Sequence, residues 1–334
     1  MTQALNPRPR VALIRAGGTI DSIGADRLDL LSYRDTGNRV PDGGLIAQLP
    51  EIASIADVRE VPFRRITSFA IIEADWLDLL RLVTTTFDDD QADGVVITHG
   101  TNTLEETAYF LDLTVRTDRP VVLVGAMRPS SGLSPDGPMN LLNAIRVAID
   151  DRAVGAGVLV LMNDTIWAAR DVTKTATMRV DAFDGRDLGP LGYADPDRVS
   201  FYHQSLTRHG SASEFDISSL ESLPRVDVVV SHVGADGALI HAAVAAGAIG
   251  LVSAGTGAGR PTPLETAALD AAVAHGVVIC QASRVGSGRT SASPTNHDVV
   301  LAGNLTPWKA RILLALALTK TRDVSEIQRM FETY

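Results

Sequence analysis

Short apolar runs alternate with segments of helical periodicity along nearly the whole chain. This alternation is typical of α/β proteins, in which a mostly parallel sheet carries helices on both faces. The apolar runs predict strands near residues 10–15, 58–62, 94–98, 120–125, 157–162, 226–232, 249–253 and 276–280. The helical pattern predicts helices near residues 74–87, 103–116, 138–149, 237–247, 263–275, 307–319 and 324–333.

Two stretches interrupt this alternation and divide the chain. Residues 163–202 are rich in Asp, Gly and Thr, which predicts loops with short strands. Residues 203–222 are polar and lack apolar periodicity, which predicts a linker. A chain of 334 residues is long enough for two domains of ordinary size. We therefore expect a larger N-terminal α/β domain over residues 1–202 and a smaller C-terminal α/β domain over residues 223–334.

Charge and cysteine content exclude several classes of function. The net charge of −10 and the absence of a basic stripe argue against nucleic acid and anionic membranes as partners. The sequence shows no signal-peptide pattern and no apolar segment long enough to span a bilayer, so a cytoplasmic location is expected. The single cysteine, Cys280, excludes an internal disulfide and a Cys-pair zinc site, and its apolar neighbours predict a buried core residue.

Several cofactor and hydrolase motifs are absent. The segment GTGAGR at 255–260 follows a predicted strand, but Arg260 stands where a dinucleotide-binding fingerprint requires its last glycine. This disfavours a nucleotide-dependent oxidoreductase. The chain has no Walker A sequence, no H-E-x-x-H motif and no G-x-S-x-G elbow, and its 7 histidines lack metal-ligand spacing. We therefore expect neither a cofactor nor a metal.

Two turns that contain threonine are the strongest functional signals. The segments AGGTI at 16–20 and THGTNTLEET at 98–107 each follow a predicted strand. In an open α/β sheet, loops that leave the carboxyl ends of strands line the ligand crevice. Gly17 and Gly18 allow a sharp turn and close approach to a ligand. A threonine on each turn indicates nucleophile chemistry, although such turns are also common as plain strand-to-helix connections.

The second turn and one lysine extend this pattern. Thr103 and Glu106 have the spacing of a capping box, so a helix is predicted to begin there, with Thr101 and Asn102 just before its N-terminus. Lys174 follows the predicted strand at 157–162. It is either an exposed loop lysine or a desolvated lysine that serves a threonine as base or hydrogen-bond partner.

The chain as a whole resembles the bacterial-type L-asparaginase/glutaminase family. The matching segments are AGGTI (16–20), VVITHGTNTLEETAYFLDLTV (95–115), VVLVGAMRPSSGLSPDGPMNLLNA (121–144), LVLMNDTIWAARDVTKT (159–175), SAGTGAGR (253–260) and KARILLALALTKTRDVSEIQRMFETY (309–334). The resemblance implies a larger flavodoxin-like N-terminal domain with a mostly parallel sheet and a smaller α/β domain. It also implies a homotetramer of intimate dimers, with active sites shared between chains.

The same resemblance implies roles for individual residues. Thr19 corresponds to the nucleophile, and Tyr33 to the tyrosine that closes over it and assists it. Thr101 corresponds to a second catalytic threonine, and Lys174 to the lysine paired with it. The substrate-binding residues implied are Gly18, Ser68, Phe69, Gly100, Asn102 and Ala126.

The resemblance further implies the chemistry of the reaction. Ser68 corresponds to the serine that binds the substrate's α-carboxylate, and Ala126 to the residue whose carbonyl contacts the amide. A threonine hydroxyl attacks a carboxamide, ammonia leaves, and water hydrolyses the acyl-enzyme. Amides at the helix N-terminus and in the loops are candidate oxyanion donors.

The chain departs from the family pattern at four places. Asn102 stands where the family has an aspartate that binds the substrate ammonium, and Ala258 stands where it usually has an asparagine directed at the same group. The family's C-terminal domain lends a glutamate after a Ser-Arg-Val segment, but residues 284–304 contain no glutamate. Phe69 occupies a position that is commonly polar in the family. Three of these departures affect recognition of the α-ammonium.

These departures predict altered substrate recognition. Loss of two charge-assisted contacts would cost about 3–6 kcal/mol, or roughly 10²–10⁴ in specificity for asparagine. The alternative is that another group, such as Asp298, replaces the missing carboxylate. Two functions follow as hypotheses. The first is an amidohydrolase acting on L-asparagine or on a related amide with altered α-amino recognition. The second is a catalytically weak or silent ligand-binding protein on the same scaffold.

Overall fold

A computed structural model describes residues 7–292 and 299–334 of the chain. The described residues up to Ser213 form one compact unit, and Glu214–Tyr334 contains the second. The division falls inside the polar segment 203–222, where the structure has a short 3-10 turn, Gly210–Ala212. In the described part of the chain, no helix is both long and apolar enough to cross a membrane.

The first unit is built on an 8-stranded sheet accompanied by a 2-stranded ribbon. Its strands are β1 (Arg10–Arg15), β2 (Asp57–Val61), β3 (Gly94–Thr98), β4 (Val121–Val124), β5 (Val158–Met162), β6 (Thr165–Ala168), β7 (Thr173–Lys174), β8 (Phe183–Asp184), β9 (Gly192–Ala194) and β10 (Val199–Phe201). The large sheet has the order β10-β9-β6-β5-β4-β3-β1-β2, and β7 pairs with β8. The strands from β5 to β2 along this order pair in parallel, whereas β6, β9 and β10 extend the sheet with antiparallel pairs.

Complete burial explains why the central strands have continuous apolar sequences. Every residue of β3, β4 and β5 is buried. A parallel sheet covered on both faces favours this pattern over alternation. The helices of the unit are α1 (Gly44–Ala47), α2 (Ile52–Ile55), α3 (Glu73–Asp88), α4 (Leu104–Thr114) and α5 (Gly137–Ala148). The α/β fold class predicted from the sequence is confirmed.

The strand order places both threonine turns at one edge of the sheet. The parallel strands lie in the order β2-β1-β3-β4-β5, which is the flavodoxin-like order. Strand β2 is added on one side of β1, and β3, β4 and β5 are added on the other side, so the strand order reverses between β1 and β3. Such a switch point opens a crevice at the carboxyl ends of the two strands. Arg15, the last residue of β1, pairs with Thr98, the last residue of β3. The segments after these residues therefore leave the sheet side by side.

The second unit contains a 4-stranded parallel sheet. Its strands, in spatial order, are β11 (Val226–Val230), β12 (Gly250–Gly255), β13 (Val278–Ser283) and β14 (Val299–Leu301). Its helices are α6 (Ala238–Ala245), α7 (Pro263–Ala274), α8 (Pro307–Leu318) and α9 (Val324–Thr333). Cys280 lies in β13 with no exposed surface, as predicted, and burial raises the pKa of its thiol.

The predicted capping box at Thr103 and Glu106 is wrong. Helix α4 begins at Leu104, and the Thr103 side chain makes no capping hydrogen bond. Its hydroxyl donates instead to the carbonyl oxygen of Ser68 at 2.8 Å. A capping box does form at α7, where Thr262 and Glu265 exchange hydrogen bonds. The same pattern therefore gives different structures, because the Thr103 hydroxyl is oriented by its donation to Ser68 and accepts no helix N–H.

Candidate active site

The first turn approaches the second so closely that only glycine fits at the contact. Gly17 and Gly18 have φ values of 96° and 100°, in the region that favours glycine. A Cβ atom on Gly18 would lie 2.5 Å from the backbone nitrogen of Gly100. Because this neighbour is backbone, it cannot move aside. The two glycines thus hold Thr19 beside the second turn.

Thr19 is paired with Tyr33. The Oγ1 atom of Thr19 lies 2.9 Å from the hydroxyl oxygen of Tyr33, and either group can donate the hydrogen bond. Thr19 is half-buried and begins the 3-10 turn Thr19–Asp21, whereas Tyr33 is only 2% exposed. The Nε of Arg34 also donates to the Tyr33 oxygen at 3.3 Å. The phenol is therefore placed to pass a proton to or from Thr19.

Lys174 is paired with Thr101. Its Nζ donates to Thr101 Oγ1 at 2.7 Å and to Asn102 Oδ1 at 3.3 Å. Thr101 is buried just before α4, and Lys174 is half-buried on β7 rather than exposed on a loop. Burial lowers the pKa of Lys174, and the nearby Arg34 cation lowers it further, while Glu105 opposes the shift. A lowered pKa increases the neutral fraction of this lysine, which is the form that accepts a proton.

Ser68 links the 3-10 turn Ser68–Ala70 to the second threonine turn. Its hydroxyl oxygen accepts a hydrogen bond from the backbone N–H of Asn102 at 3.3 Å. A Cβ atom on Gly100 would lie 2.5 Å from this oxygen, so glycine at that position lets the serine approach. The Ser68 side chain is almost fully buried at the rim of the site.

A cleft that opens to solvent joins Thr19, Tyr33, Ser68 and Thr101. Its lining residues are Gly18, Thr19, Ser22, Tyr33, Arg34, Arg39, Thr67, Ser68, Gly100, Thr101 and Asn102. Two predicted binding residues are not in this lining: Ala126 is completely buried, and Phe69 is largely exposed. In the described parts of the chain, no group of three or more His, Cys, Asp or Glu side chains is placed to hold a metal.

Sequence reasoning missed four residues of this lining: Ser22, Thr67, Arg34 and Arg39. The two arginines lie in a stretch without regular periodicity, and nothing in the local pattern places them beside Thr19. The one available signal is that Arg34 directly follows Tyr33. Glu105, which is 6% exposed and acts on the pKa of Lys174, gave no signal beyond its place in a predicted helix.

A buried ion pair between Arg15 and Asp21 stabilises the Thr19 turn. Arg15, at the end of β1, donates to the carboxylate of Asp21, and both side chains are almost completely buried. Arg15 also donates to the carbonyl oxygen of Val40 at 2.7 Å, and the N–H of Val40 donates to the carbonyl of Asp21 at 2.9 Å. Asp21 thereby ties the Thr19 turn to the segment that follows Tyr33.

The remaining departures lie in the second unit. Ala258 stands in the turn between Thr256 and Arg260, where its carbonyl oxygen accepts a hydrogen bond from Gln281 at 3.4 Å. Asp298, the candidate replacement for the missing glutamate, lies outside the described residues.

Comparisons with known proteins give consistent matches over the whole chain. Residues 10–207 match the family model described as "Asparaginase, N-terminal", and residues 225–331 match "Glutaminase/Asparaginase C-terminal domain". The chain is 41% identical over 330 residues to L-asparaginase 2 of Escherichia coli, covering 98% of this chain and 93% of that protein. It is 40% identical over 329 residues to the glutaminase-asparaginase of Pseudomonas fluorescens, covering 97% and 90%.

A solved structure also matches. The crystal structure of a probable cytoplasmic L-asparaginase from Campylobacter jejuni superposes with a TM-score of 0.94 at 39% sequence identity. The match covers 98% of this chain and 100% of the other.

Proposed function

Because the chain belongs to the asparaginase/glutaminase family, as its sequence resemblance indicated, we propose that it hydrolyses a small carboxamide with Thr19 as nucleophile. The chain is an amidohydrolase of the L-asparaginase type. The observation that carries the assignment of Thr19 is the meeting of two threonines in one cleft, each bonded to a different proton-transferring partner.

The reaction begins with attack of the Thr19 hydroxyl oxygen on the amide carbon. The hydroxyl proton passes to the Tyr33 oxygen, 2.9 Å away, as the bond forms, and the proton that the phenol already carried becomes the one available to the leaving nitrogen. Collapse of the tetrahedral intermediate breaks the C–N bond, and the leaving nitrogen takes a proton and departs as ammonia. Backbone N–H groups of the two turns that line the cleft are the candidate donors to the oxyanion. The product of this step is an ester on Thr19.

Water then hydrolyses the ester. Neutral Lys174 accepts the Thr101 proton while Thr101 accepts one from water, and the hydroxide attacks the ester carbon. The ester C–O bond breaks, the new acid gives its proton to the Thr19 oxygen, and Lys174 returns to its neutral form by releasing its proton to solvent. The lowered pKa of Lys174 suits this role because it increases the neutral form near neutral pH.

The substrate is proposed to be L-asparagine or a related amide whose α-amino group is poorly recognised. Asn102 is neutral, and its Oδ1 already accepts a hydrogen bond from Lys174. An amide oxygen stabilises an ammonium less than a carboxylate does, because hydrogen bonds to oppositely charged partners are stronger. L-asparagine should therefore lose much of its advantage over an analogue without the ammonium.

Ammonia release from L-asparagine and from succinamate, at equal concentrations, tests this proposal. We expect turnover of both, and we expect Asn102→Asp to raise the ratio of asparagine to succinamate turnover. An unchanged ratio would show that Asn102 does not discriminate between the substrates. If the wild-type protein binds either compound and releases no ammonia, the silent ligand-binding alternative is correct.

Assembly and location are also part of the proposal. A homotetramer with shared active sites is the arrangement implied by the sequence resemblance, and sedimentation of the purified protein tests it. A cytoplasmic location is supported by the likeness to a protein named as probably cytoplasmic, although a relative from Haemophilus influenzae, 38% identical, is named periplasmic. Cell fractionation separates these locations.

A further inference from the structure

The cleft carries a positive charge that the chain as a whole does not. The net charge of the chain is −10, yet the cleft lining includes Arg34 and Arg39 and no aspartate or glutamate. Lys174, bonded to two lining residues, adds a third basic group beside it. The local charge therefore opposes the global one, which indicates a requirement of the site rather than a consequence of composition.

Arg34 is held in place by an aromatic contact. Its Cζ lies 5.4 Å from the centroid of the Tyr33 ring, and its Nε donates to the hydroxyl oxygen of the same residue. A guanidinium stacked on a ring keeps a defined orientation and leaves its terminal N–H groups available. Tyr33 is itself bonded to Thr19, so the guanidinium is fixed relative to the reacting hydroxyl.

Neither cleft arginine forms an ion pair within the described parts of the chain, although the charge of Arg39 acts on the buried Asp21. Arg34 forms no ion pair there, and neither does Arg39, whose NH1 donates to the neutral hydroxyl of Ser22 at 3.3 Å. Other arginines of the same unit do find carboxylates, among them Arg10, Arg15, Arg64, Arg65 and Arg152. Guanidinium groups match carboxylates in geometry and charge, so an unpaired one in a catalytic cleft is suited to an anionic ligand.

We infer that Arg34 recognises a carboxylate of the substrate and that the site prefers small amides whose net charge is negative. This inference rests on the proposed amide hydrolysis. A substrate carboxylate gains a charge-assisted partner in Arg34, whereas a substrate ammonium meets the cations of Arg34 and Arg39 beside the neutral Asn102. The first effect is common to both compounds, since each carries a carboxylate, whereas the second favours a monoamide of a dicarboxylic acid over the zwitterion of the same length.

Binding of succinate, measured by titration calorimetry, tests the role of Arg34 without depending on turnover. The proteins compared are the wild type, Arg34→Gln, Arg34→Lys and the control Arg27→Gln, which removes an exposed arginine outside the cleft lining. We expect Arg34→Gln to weaken succinate binding by about tenfold, the value for a charge-assisted hydrogen bond discounted for exposure. Arg34→Lys should recover part of the affinity, and Arg27→Gln should change nothing.

A kinetic comparison extends the test to the reaction. For succinamate, Arg34→Gln should raise KM with a smaller change in kcat, and for the uncharged butyramide it should leave KM unchanged. Succinate binding to Arg34→Gln as tight as to the wild type, or equal weakening by Arg27→Gln, would overturn the inference. If no amide releases ammonia, the proposed hydrolysis fails, while the succinate titration still decides whether Arg34 binds a carboxylate.

Discussion

The two threonines of the cleft are held in different ways. Thr101 is buried before a long helix, and its partner Lys174 reaches it from a strand at 2.7 Å. Thr19 is half-buried on a 3-10 turn, and its partner Tyr33 comes from another 3-10 turn. One pair is thus fixed by regular secondary structure, and the other depends on loops.

This difference indicates a division of labour. A hydroxyl that forms and breaks an ester must admit a substrate and release a product, which suits a position on turns. A proton-transfer pair benefits from fixed geometry, since small displacements reduce its efficiency. On this view the Thr19 pair performs the covalent chemistry, and the Thr101 pair supplies the proton transfer for hydrolysis.

The largest effect on kcat is expected from breaking the contact between Lys174 and Thr101. Lys174→Met should lower kcat by about 10²–10⁴, the usual contribution of a general base. In the wild type, kcat should rise with pH through the lowered pKa of Lys174, and Lys174→Arg, which stays protonated, should lose that rise. A pH profile of ammonia release checks both variants, and a rise that persists in Lys174→Arg would assign the titration to another group.

Lys174→Met is also expected to change how the stability of the protein depends on pH. The pKa of Lys174 is lower in the folded state than in the unfolded chain, so the unfolded chain binds more protons between these two values. The wild type therefore gains stability as pH rises through that interval, and Lys174→Met should not. Urea unfolding at several pH values measures the difference, and identical pH dependence in both proteins would contradict a depressed lysine pKa.

An intermediate effect is expected at the contact between the two turns. Gly18→Ala places a Cβ atom 2.5 Å from the Gly100 nitrogen at a φ of 100°, which forces the turns apart. We expect a loss of about 10²-fold in kcat, as for misplaced catalytic groups. The matched control is Gly37→Ala, because Gly37 also has a positive φ, but a Cβ atom added there would meet no other atom within 4 Å. Equal losses of kcat in the two variants would show that backbone strain at a positive φ causes the loss, and that contact with Gly100 does not.

The smallest effect on activity is expected from a change in the buried Arg15–Asp21 ion pair of the Thr19 turn. Asp21→Asn breaks the buried ion pair with Arg15 and should lower the free energy of unfolding by about 3 kcal/mol. This value is at the low end for buried ion pairs, because Arg15 keeps its hydrogen bonds to backbone carbonyl oxygens. The kcat should fall only several-fold, with the Lys174-dependent pH rise retained. Asp35→Asn, an exposed acid in the same stretch, is the control, and denaturant unfolding with kinetics separates the two effects.

The fold could be predicted because burial determined the sequence pattern. The central strands are apolar on both faces, so their runs were visible without any tertiary information. The short strands within 163–202 were also predicted, and the structure confirms them as β6 to β10. The four-residue helices α1 and α2 were not predicted, since such short segments show no period.

The site was predictable only in part. The glycines and threonines of the two turns gave a local signal, but Lys174 lies 73 residues from Thr101, and only the family resemblance paired them. The Thr103 capping box was wrong because the Thr103 hydroxyl is oriented by donation to the carbonyl oxygen of Ser68, which is distant in sequence. Arg34 and Arg39 were missed because a loop's tertiary contacts leave no periodic trace in sequence.

The assignment of the nucleophile is tested most directly by locating the acyl group. Trypsin cleavage after Arg15 and Arg27 isolates Thr19 in peptide 16–27, and cleavage after Arg81 and Arg116 isolates Thr101 in peptide 82–116. Lys174→Met, which should slow ester hydrolysis, is mixed with succinamate, quenched in acid, digested and analysed by mass spectrometry. We predict a succinyl ester on Thr19 in peptide 16–27. A succinyl ester on Thr101 would contradict the division of labour between the two threonines.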